Sequence, residues 1–492
     1  MKNRNLRTGS TAAALTAVVV ALTFVLASCG DAGGGPGGTP PVYYTVNYSA
    51  GEGTGTAPAS QTVLAGTTIT LPGKGNLAAP IAEETFGGWS DGRLHAAGTP
   101  YTVNATVTLT AKWGFTGIDA ITAYLGTVTG VAASPAPLRV LLNLADGTNG
   151  WAALLAGIQT AGDYVALDLS ACAVTGMTAT AGEFDADRTL TGGAKDGKGF
   201  VVSLVLPETA TAIKAETEIL NSAFQDFTAL KTVCGANVIT IGENAFRFCT
   251  GLVSLDFPKA TTIGDAAFDD CAGLTAIAFP QVTTIGDNAF GDCDNFVSVD
   301  FPKATYIGDY AFGDCAAPSS VAFPEATYIG NGAFNGWTGL VSVDFPRATY
   351  IGNANFEDCT GLTSVAFPQA TTIGPYVFEG CTGLVSVDLP KVTLIDDQAF
   401  QDTGTGPLTV TLGASPPAVG SDTFLSVTGG PKPVTVRVPS ASIGSGTNQY
   451  NDDWKKAFRG VGNDVAPPAL NDTGDWRTGT ENTDVTVNYQ GD

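Results

Sequence analysis

The chain has 492 residues, including 62 Gly and 27 Pro, and its 46 Asp+Glu against 23 Lys+Arg give a formal net charge of −23. The length suits about three domains, and so acidic a chain is a poor match for a phosphate backbone, which argues against nucleic acid as a partner. Its one histidine, His95, excludes multi-histidine metal sites and confines Ser-His-Asp or Cys-His chemistry to a single position. No enzyme activity, metal or cofactor is therefore expected.

Residues 1–28 read as an address and not as fold. Lys2, Arg4 and Arg7 form a positive n-region, and the apolar stretch from Ala12 to Ala27 is too short and too interrupted by Thr for a comfortable membrane span. It ends in Leu26-Ala27-Ser28-Cys29-Gly30, which resembles the bacterial lipoprotein lipobox. The resemblance implies cleavage before Cys29, thioether lipidation of its sulfur and attachment to a membrane through that lipid. A buried structural cysteine or an ordinary cleavage site is the competing reading. The Gly-rich run after it, within 29–41, can bury nothing and reads as a flexible tether.

From 42 to 114, runs such as Tyr44-Thr45-Val46-Asn47-Tyr48, Thr68-Ile69-Thr70-Leu71 and Val107-Thr108-Leu109-Thr110-Ala111-Lys112-Trp113 alternate between apolar and polar residues and predict the strands of a small β domain. With Phe86-Gly87-Gly88-Trp89 between them, their order resembles the Listeria–Bacteroides repeat, a β-grasp-like module of secreted bacterial surface proteins. The resemblance implies a spacer or interaction module with no catalyst, and His95 is expected in a solvated Gly-rich loop.

Across 115–210, read as the N-terminal cap of a solenoid, Trp151, Leu154, Leu155 and Ile158 fall at helical spacing and predict one short helix. Gly192 to Gly199 nearly spells a phosphate-binding loop. However, Gly199 stands where Ser or Thr must hold the metal, and Val201 to Leu206 continues as a strand where a helix must open. The segment is read as a β-turn.

The strongest signal spans 211–425. Isoleucine recurs every 22 residues from Ile219 to Ile395, phenylalanine keeps the same step from Phe224 to Phe400, and proline from Pro258 to Pro390. Such a period means a solenoid in which each rung covers its neighbours. In a rung such as Ile263 to Pro280, Leu274, Ile277 and Phe279 suggest a strand with Ile277 and Phe279 inward and Ala276 and Ala278 outward. Proline then ends the strand, and the Ala-x-x-Phe region suits a turn or short helical return. This pattern resembles the BspA-type leucine-rich repeat of lipid-anchored and secreted bacterial surface proteins, with Pro318 departing from its usual Leu and Trp337 from its usual Cys.

Cys249, Cys271, Cys293, Cys315, Cys359 and Cys381 share one rung position and should form a column with adjacent members ~5 Å apart. Disulfides are within reach in an exported chain, but a position that also accepts Phe227 and Trp337 behaves as a small buried apolar slot, and buried thiols are expected. Two outward features are candidates for binding. Asp256, Asp300, Asp344 and Asp388 alternate with Ala278, Ala322 and Ala366, while Lys259, Lys303, Arg347 and Lys391 alternate with Gln281, Glu325 and Gln369, so two rungs form the true unit. Recent duplication with solvated charges competes with a ligand stripe here. Tyr306, Tyr328 and Tyr350 replace Thr at one rung position, and such a ladder suits sugar or protein contact or mutual shielding between rungs.

Val419 and Phe424 suggest a worn last rung, 426–460 a C-terminal cap with a strand near Val434 and a helical turn at Asn451 to Phe458, and 461–492 a polar, loose tail in which Val485 to Tyr489 alternates. The reading is mainly β: a leucine-rich-repeat solenoid of 22-residue rungs preceded by a small β-grasp-like domain. The resemblance to BspA-type proteins implies a lipid-anchored cell-surface protein that binds extracellular proteins or glycans. A structural scaffold of the cell envelope is the alternative.

Overall fold

A computed structural model describes residues 41–91, 94–144, 150–172, 183–184, 197–213, 224–315, 318–404, 406–413, 415–420, 423–424, 432–439, 475–477 and 483–490. Cys29 and its leader, Ile219, most of the 192–199 turn and the Asn451 to Phe458 segment lie outside the described residues.

The alternating runs near the start form strands β1 (Tyr43–Ser49), β2 (Gln61–Leu64), β3 (Thr68–Thr70), β4 (Thr85–Ser90), β5 (Leu94–His95), β6 (Pro100–Thr102) and β7 (Val107–Gly114). A five-stranded sheet runs β2-β1-β7-β4-β5, with β1 and β7 parallel, and β3 pairs with β6. The period of two buries Val46, Tyr48, Trp89, Leu109, Ala111 and Trp113 as a core of its own. The loop expected for His95 is corrected to a short strand, in which it pairs with Trp89 while its side chain stays partly exposed. Its Nε2 lies 3.0 Å from Asp91 Oδ1, and Tyr101 donates its hydroxyl to Asp91 Oδ2 at 2.8 Å, so two polar neighbours tie down one carboxylate.

Two helices come next. The predicted one is α2 (Trp151–Ala161), closed by Gly162 in the left-handed conformation; α1 (Ile118–Leu125) packs against it. Trp151, fully buried, stacks on Phe227 at 6.2 Å and meets Phe224 edge-on at 6.1 Å, and so covers the first ring of the phenylalanine column. The strands Ala136–Arg139, Val165–Asp168 and Val201–Val205 pair in parallel and lead into Thr232–Cys234 and Ser254–Asp256. The solenoid's ladder thus begins in the cap region.

Each rung carries one longer strand, of three residues from Thr232–Cys234 to Ser364–Ala366, and one two-residue strand. The short ones, from Glu183–Phe184 to Ala418–Val419, form a single eleven-stranded parallel sheet, with Ile241, Ile263, Ile285, Ile307, Ile329, Ile351, Ile373 and Ile395 fully buried. In the longer strands Ile277 points in and Ala276 and Ala278 out, as read from the sequence. Phenylalanine rings stack rung on rung from Phe224 to Phe424, with centroids 5.2 Å apart at Phe268–Phe290 and 5.8 Å at Phe334–Phe356. Phe424 still lies 5.2 Å from Phe400, so the worn final rung keeps the column despite its insertion.

The Ala-x-x-Phe segment is a turn and not a helix. It is built on recurrent left-handed residues, among them Asp270, Asp292, Asp314, Asp358 and Asp402. Asp tolerates that region better than most side chains, which accounts for the acid-rich return. At the far end, Lys432–Pro439 pairs with Leu408–Leu412, and Thr483–Gln490 pairs in parallel with Lys432–Pro439. The alternating segment of the tail is thus a sheet strand, and most of the rest of 461–492 lies outside the described residues.

The N-terminal sheet docks on the solenoid through charge. Arg139 sits between Glu84, at 2.8 and 3.1 Å, and Glu52, and the Glu84 side chain is wholly buried. Glu208 accepts from Lys112 Nζ at 3.0 Å and Ser90 Oγ at 2.6 Å. Backbone bonds from Phe115 N to Arg139 O and from Leu141 N to Phe115 O join the end of β7 to the first solenoid strand.

Candidate functional site: the tyrosine ladder

Three inter-rung devices decide which surface groups are free to bind. The first is the cysteine column. All of its thiols are unbridged and buried, and each donates to a backbone carbonyl: Cys271 Sγ to Phe246 O at 3.2 Å, Cys293 to Phe268 O at 3.3 Å and Cys359 to Phe334 O at 3.2 Å. Trp337 makes the same bond with its indole Nε1 to Phe312 O, so the one Trp keeps the donor as well as the bulk. Burial pushes the Cys249 and Cys359 thiols up to about 12, which removes the thiolate that reacts or binds metal.

The second device is the charge stripe after proline. Lys259 Nζ donates to Asn237 Oδ1 at 2.6 Å, Lys303 to Gln281 Oε1 at 2.6 Å and Lys391 to Gln369 Oε1 at 2.5 Å, and Arg347 pairs with Glu325. Each cation reaches back one rung to an acceptor, which gives the two-rung alternation a structural cause.

The third links Gly and Asp in the Ile-Gly-Asp turns. Asp265 Oδ1 accepts from Asp287 N at 2.9 Å, Asp287 from Asp309 N at 2.8 Å, Asp309 from Asn331 N at 2.7 Å and Asn331 from Asn353 N at 2.8 Å. A Cβ on Gly308 would lie 2.4 Å from Asp287 Oδ1, so glycine clears the path of the carboxylate.

Tyr306, Tyr328 and Tyr350 remain. They are register partners in the short-strand sheet, with ring centroids 4.9 Å apart at 2° and 5.1 Å apart at 13°. Tyr306 is 40% exposed, while Tyr328 and Tyr350 are half-buried. Burial raises the Tyr306 and Tyr328 hydroxyls above 10.0, and the charges of Asp287, Asp309 and, for Tyr306, Asp265 add to it; the acidic column therefore runs within electrostatic reach of the rings. Four residues after Tyr306, Tyr310 is 44% exposed with φ 51°, an unfavourable region for so large a side chain. Its ring occupies the space above Gly332, where a Cβ would come within 2.3 Å of Cε1. The sequence pattern did not single out Tyr310.

The other candidates do not join this ladder. Asp256, Asp300, Asp344 and Asp388 are exposed on the longer strands, which belong to other sheets. Asp300 stands opposite Ala278, Asp344 opposite Ala322 and Asp388 opposite Ala366, so the alternation avoids facing like charges directly. No group of three or more His, Cys, Asp or Glu side chains suited to a metal occurs among the described residues.

The sequence matches the BspA type leucine rich repeat region in six copies, over residues 217–326 and 305–427. No curated protein matches it. Among solved structures, it is similar to a leucine-rich repeat protein from Bacteroides ovatus, at 20% identity and a TM-score of 0.33 over 53% of this chain and 83% of that one. It is also similar to a leucine rich cell surface protein from Faecalibacterium prausnitzii, at 21% identity and a TM-score of 0.28 over 51% and 81%, and to the pneumococcal vaccine antigen PcpA, at 15% identity and 0.30 over 58% and 79%. The six-copy match and the observed rungs carry the assignment: residues 217–427 of this chain are a BspA-type leucine-rich-repeat region.

Proposed function

We propose that the protein is a lipid-anchored bacterial cell-surface binding protein, adhesin-like, that contacts extracellular proteins or glycans with its solenoid. The observation that carries this reading is the tyrosine ladder. Tyr306, Tyr328 and Tyr350 occupy three consecutive rungs, whereas the charge alternation repeats every second rung, so duplication of a two-rung unit does not account for them. Rigid aromatic faces contribute contact area at small entropic cost. The anchor reading rests on the lipobox resemblance at Cys29 and on the surface proteins that share the repeat.

A scaffold of the cell envelope without a dedicated ligand is the second reading, favoured by the lysine stripe, whose cations are spent on neighbouring rungs. An array of extracellular proteins and glycans probed with purified protein separates the two: a binder gives saturable signal on some member, and a scaffold gives none. Cys29→Ala tests the anchor. The variant is expected to leave the detergent phase and appear released or mislocalised, and unchanged partitioning would refute lipidation there.

A further inference from the structure

Both ends of the ladder meet threonine, Thr284 beside Tyr306 and Thr372 beside Tyr350, and the Tyr306 end is the more exposed. Tyr328 is covered by a ring on each side, Tyr306 on one and Tyr350 on the other. Tyr306 meets a ring on one face only; on the other side its register partner is Thr284, whose short side chain offers no plane to stack. Among the described residues, no ring or cation lies on that face, and Tyr306 is the most exposed of the three.

Charge surrounds this face unevenly. Asp287, in the rung of Thr284, Asp309, in the rung of Tyr306, and Asp265, one rung further out, all act on the Tyr306 hydroxyl. Beside the opposite end, the same column carries the uncharged Asn331 and Asn353, and Asn331 Oδ1 accepts the same backbone bond, from Asn353 N, without charge. The acidic half of the column therefore adjoins the exposed Tyr306 end, and the neutral half adjoins the half-buried Tyr350 end.

Resting on the ladder reading, we propose that the open face of Tyr306 receives a guanidinium group from a basic segment of a partner protein, stacked as the next plane of the ladder with the carboxylates of Asp265, Asp287 and Asp309 beside it. Guanidinium is planar, weakly hydrated and suited to lie on an aromatic face. A ring face beside three carboxylates favours a cation over a neutral sugar.

Asparagine already replaces aspartate within the column, so charge can be removed without losing the rung-to-rung bond. Binding of a labelled nona-arginine peptide to the purified protein is measured at about 0.15 M salt, where the field of distant surface charges is screened within about 8 Å. The D265N/D287N/D309N variant is compared with D256N/D300N/D344N, which loses the same three charges from the longer-strand face. The first is expected to weaken binding roughly tenfold or more, about 1.4 kcal/mol, and the second to leave it nearly unchanged. Tyr306→Thr should act like the first, and an oligolysine peptide of equal charge should bind more weakly than the arginine peptide.

Equal loss in both triple variants would mean a general field and overturn the site. If the D265N/D287N/D309N variant binds nona-arginine as wild type does, the cation reading fails. In that case, a neutral oligosaccharide from the array whose binding is lost in Tyr306→Thr would leave the ladder as a glycan surface, and unaltered binding of every ligand by Tyr306→Thr would remove the ladder as well.

Discussion

At the scale of single residues, the rung is written by close approach. Gly308 illustrates this, because a Cβ there would meet Asp287 Oδ1 at 2.4 Å and the backbone carbon of Gly286 at 2.6 Å. Gly308→Ala must push apart a carboxylate that satisfies the Asp309 amide and a backbone with no room to move, so a loss of about 1–3 kcal/mol is expected in urea unfolding. A midpoint equal to wild type would mean that the Asp ladder is not formed in solution. The columns of Ile, Phe, Pro and Cys were legible from spacing alone, and the free thiols from the substitution of Trp337 into their slot. The Asp-to-amide ladder was not, because a side chain that bonds the backbone of the next rung leaves no complementary residue in the pattern. Tyr310 escaped for a related reason: its position turns left-handed in other rungs with Asn244, Ala266 or Ala354, and nothing marks it as aromatic.

At the scale of the element, each rung is stabilised by its neighbours more than by itself. Phe312 is fully buried and stacks on Phe290 at 5.3 Å and Phe334 at 5.6 Å. Phe312→Ala removes a ring from the middle of the column, at a typical cost of ~3–5 kcal/mol. Because repeat arrays share stability through nearest-neighbour interfaces, its unfolding transition should broaden as well as move to lower denaturant. A curve that overlays wild type would place the ring in solvent and turn the rung inside out. Element recognition followed periodicity: α2 was readable because four large apolar residues share one face, whereas α1 is eight residues long and mixes Ile and Thr, β-branched types that weaken a helical signal. The strand Thr483–Gln490 showed its alternation, but its partner, Lys432–Pro439, lies some fifty residues away in sequence, and single-sequence patterns carry no such pairing.

At the scale of the whole molecule, the acidic composition is concentrated by stacking. Burial, aided by neighbouring carboxylates, raises Asp292 above 3.8 and Glu357 and Glu379 above 4.5; burial likewise raises Asp388. A carboxylate whose folded value is raised binds its proton in the native state before the unfolded chain does. Stability is therefore lower at neutral pH, and is gained as pH falls from 7 through the raised values toward the ordinary carboxylate range. The melting temperature is expected to rise as pH falls from 7 toward the ordinary carboxylate range of about 4, and to rise with added salt at pH 7 as repulsion is screened. A melting temperature that drops over the same acid step would show that these carboxylates are stabilised in the fold. The overall architecture was readable because one period dominates the chain. The docking of the N-terminal sheet was not, since Arg139, Glu84 and Glu52 are scattered charges until the fold brings them together.

The claim that the solenoid binds through its tyrosine ladder is tested most directly by replacing Tyr306, Tyr328 and Tyr350 together with Thr and measuring the Kd for a ligand found on the array. Thr occupies the same position at Thr262, Thr284 and Thr372, so circular dichroism should be unchanged. Loss of even one contact hot spot should weaken binding by ~1 kcal/mol or more, about fivefold. An unchanged Kd in a correctly folded variant would contradict the claim and move the binding surface off the ladder.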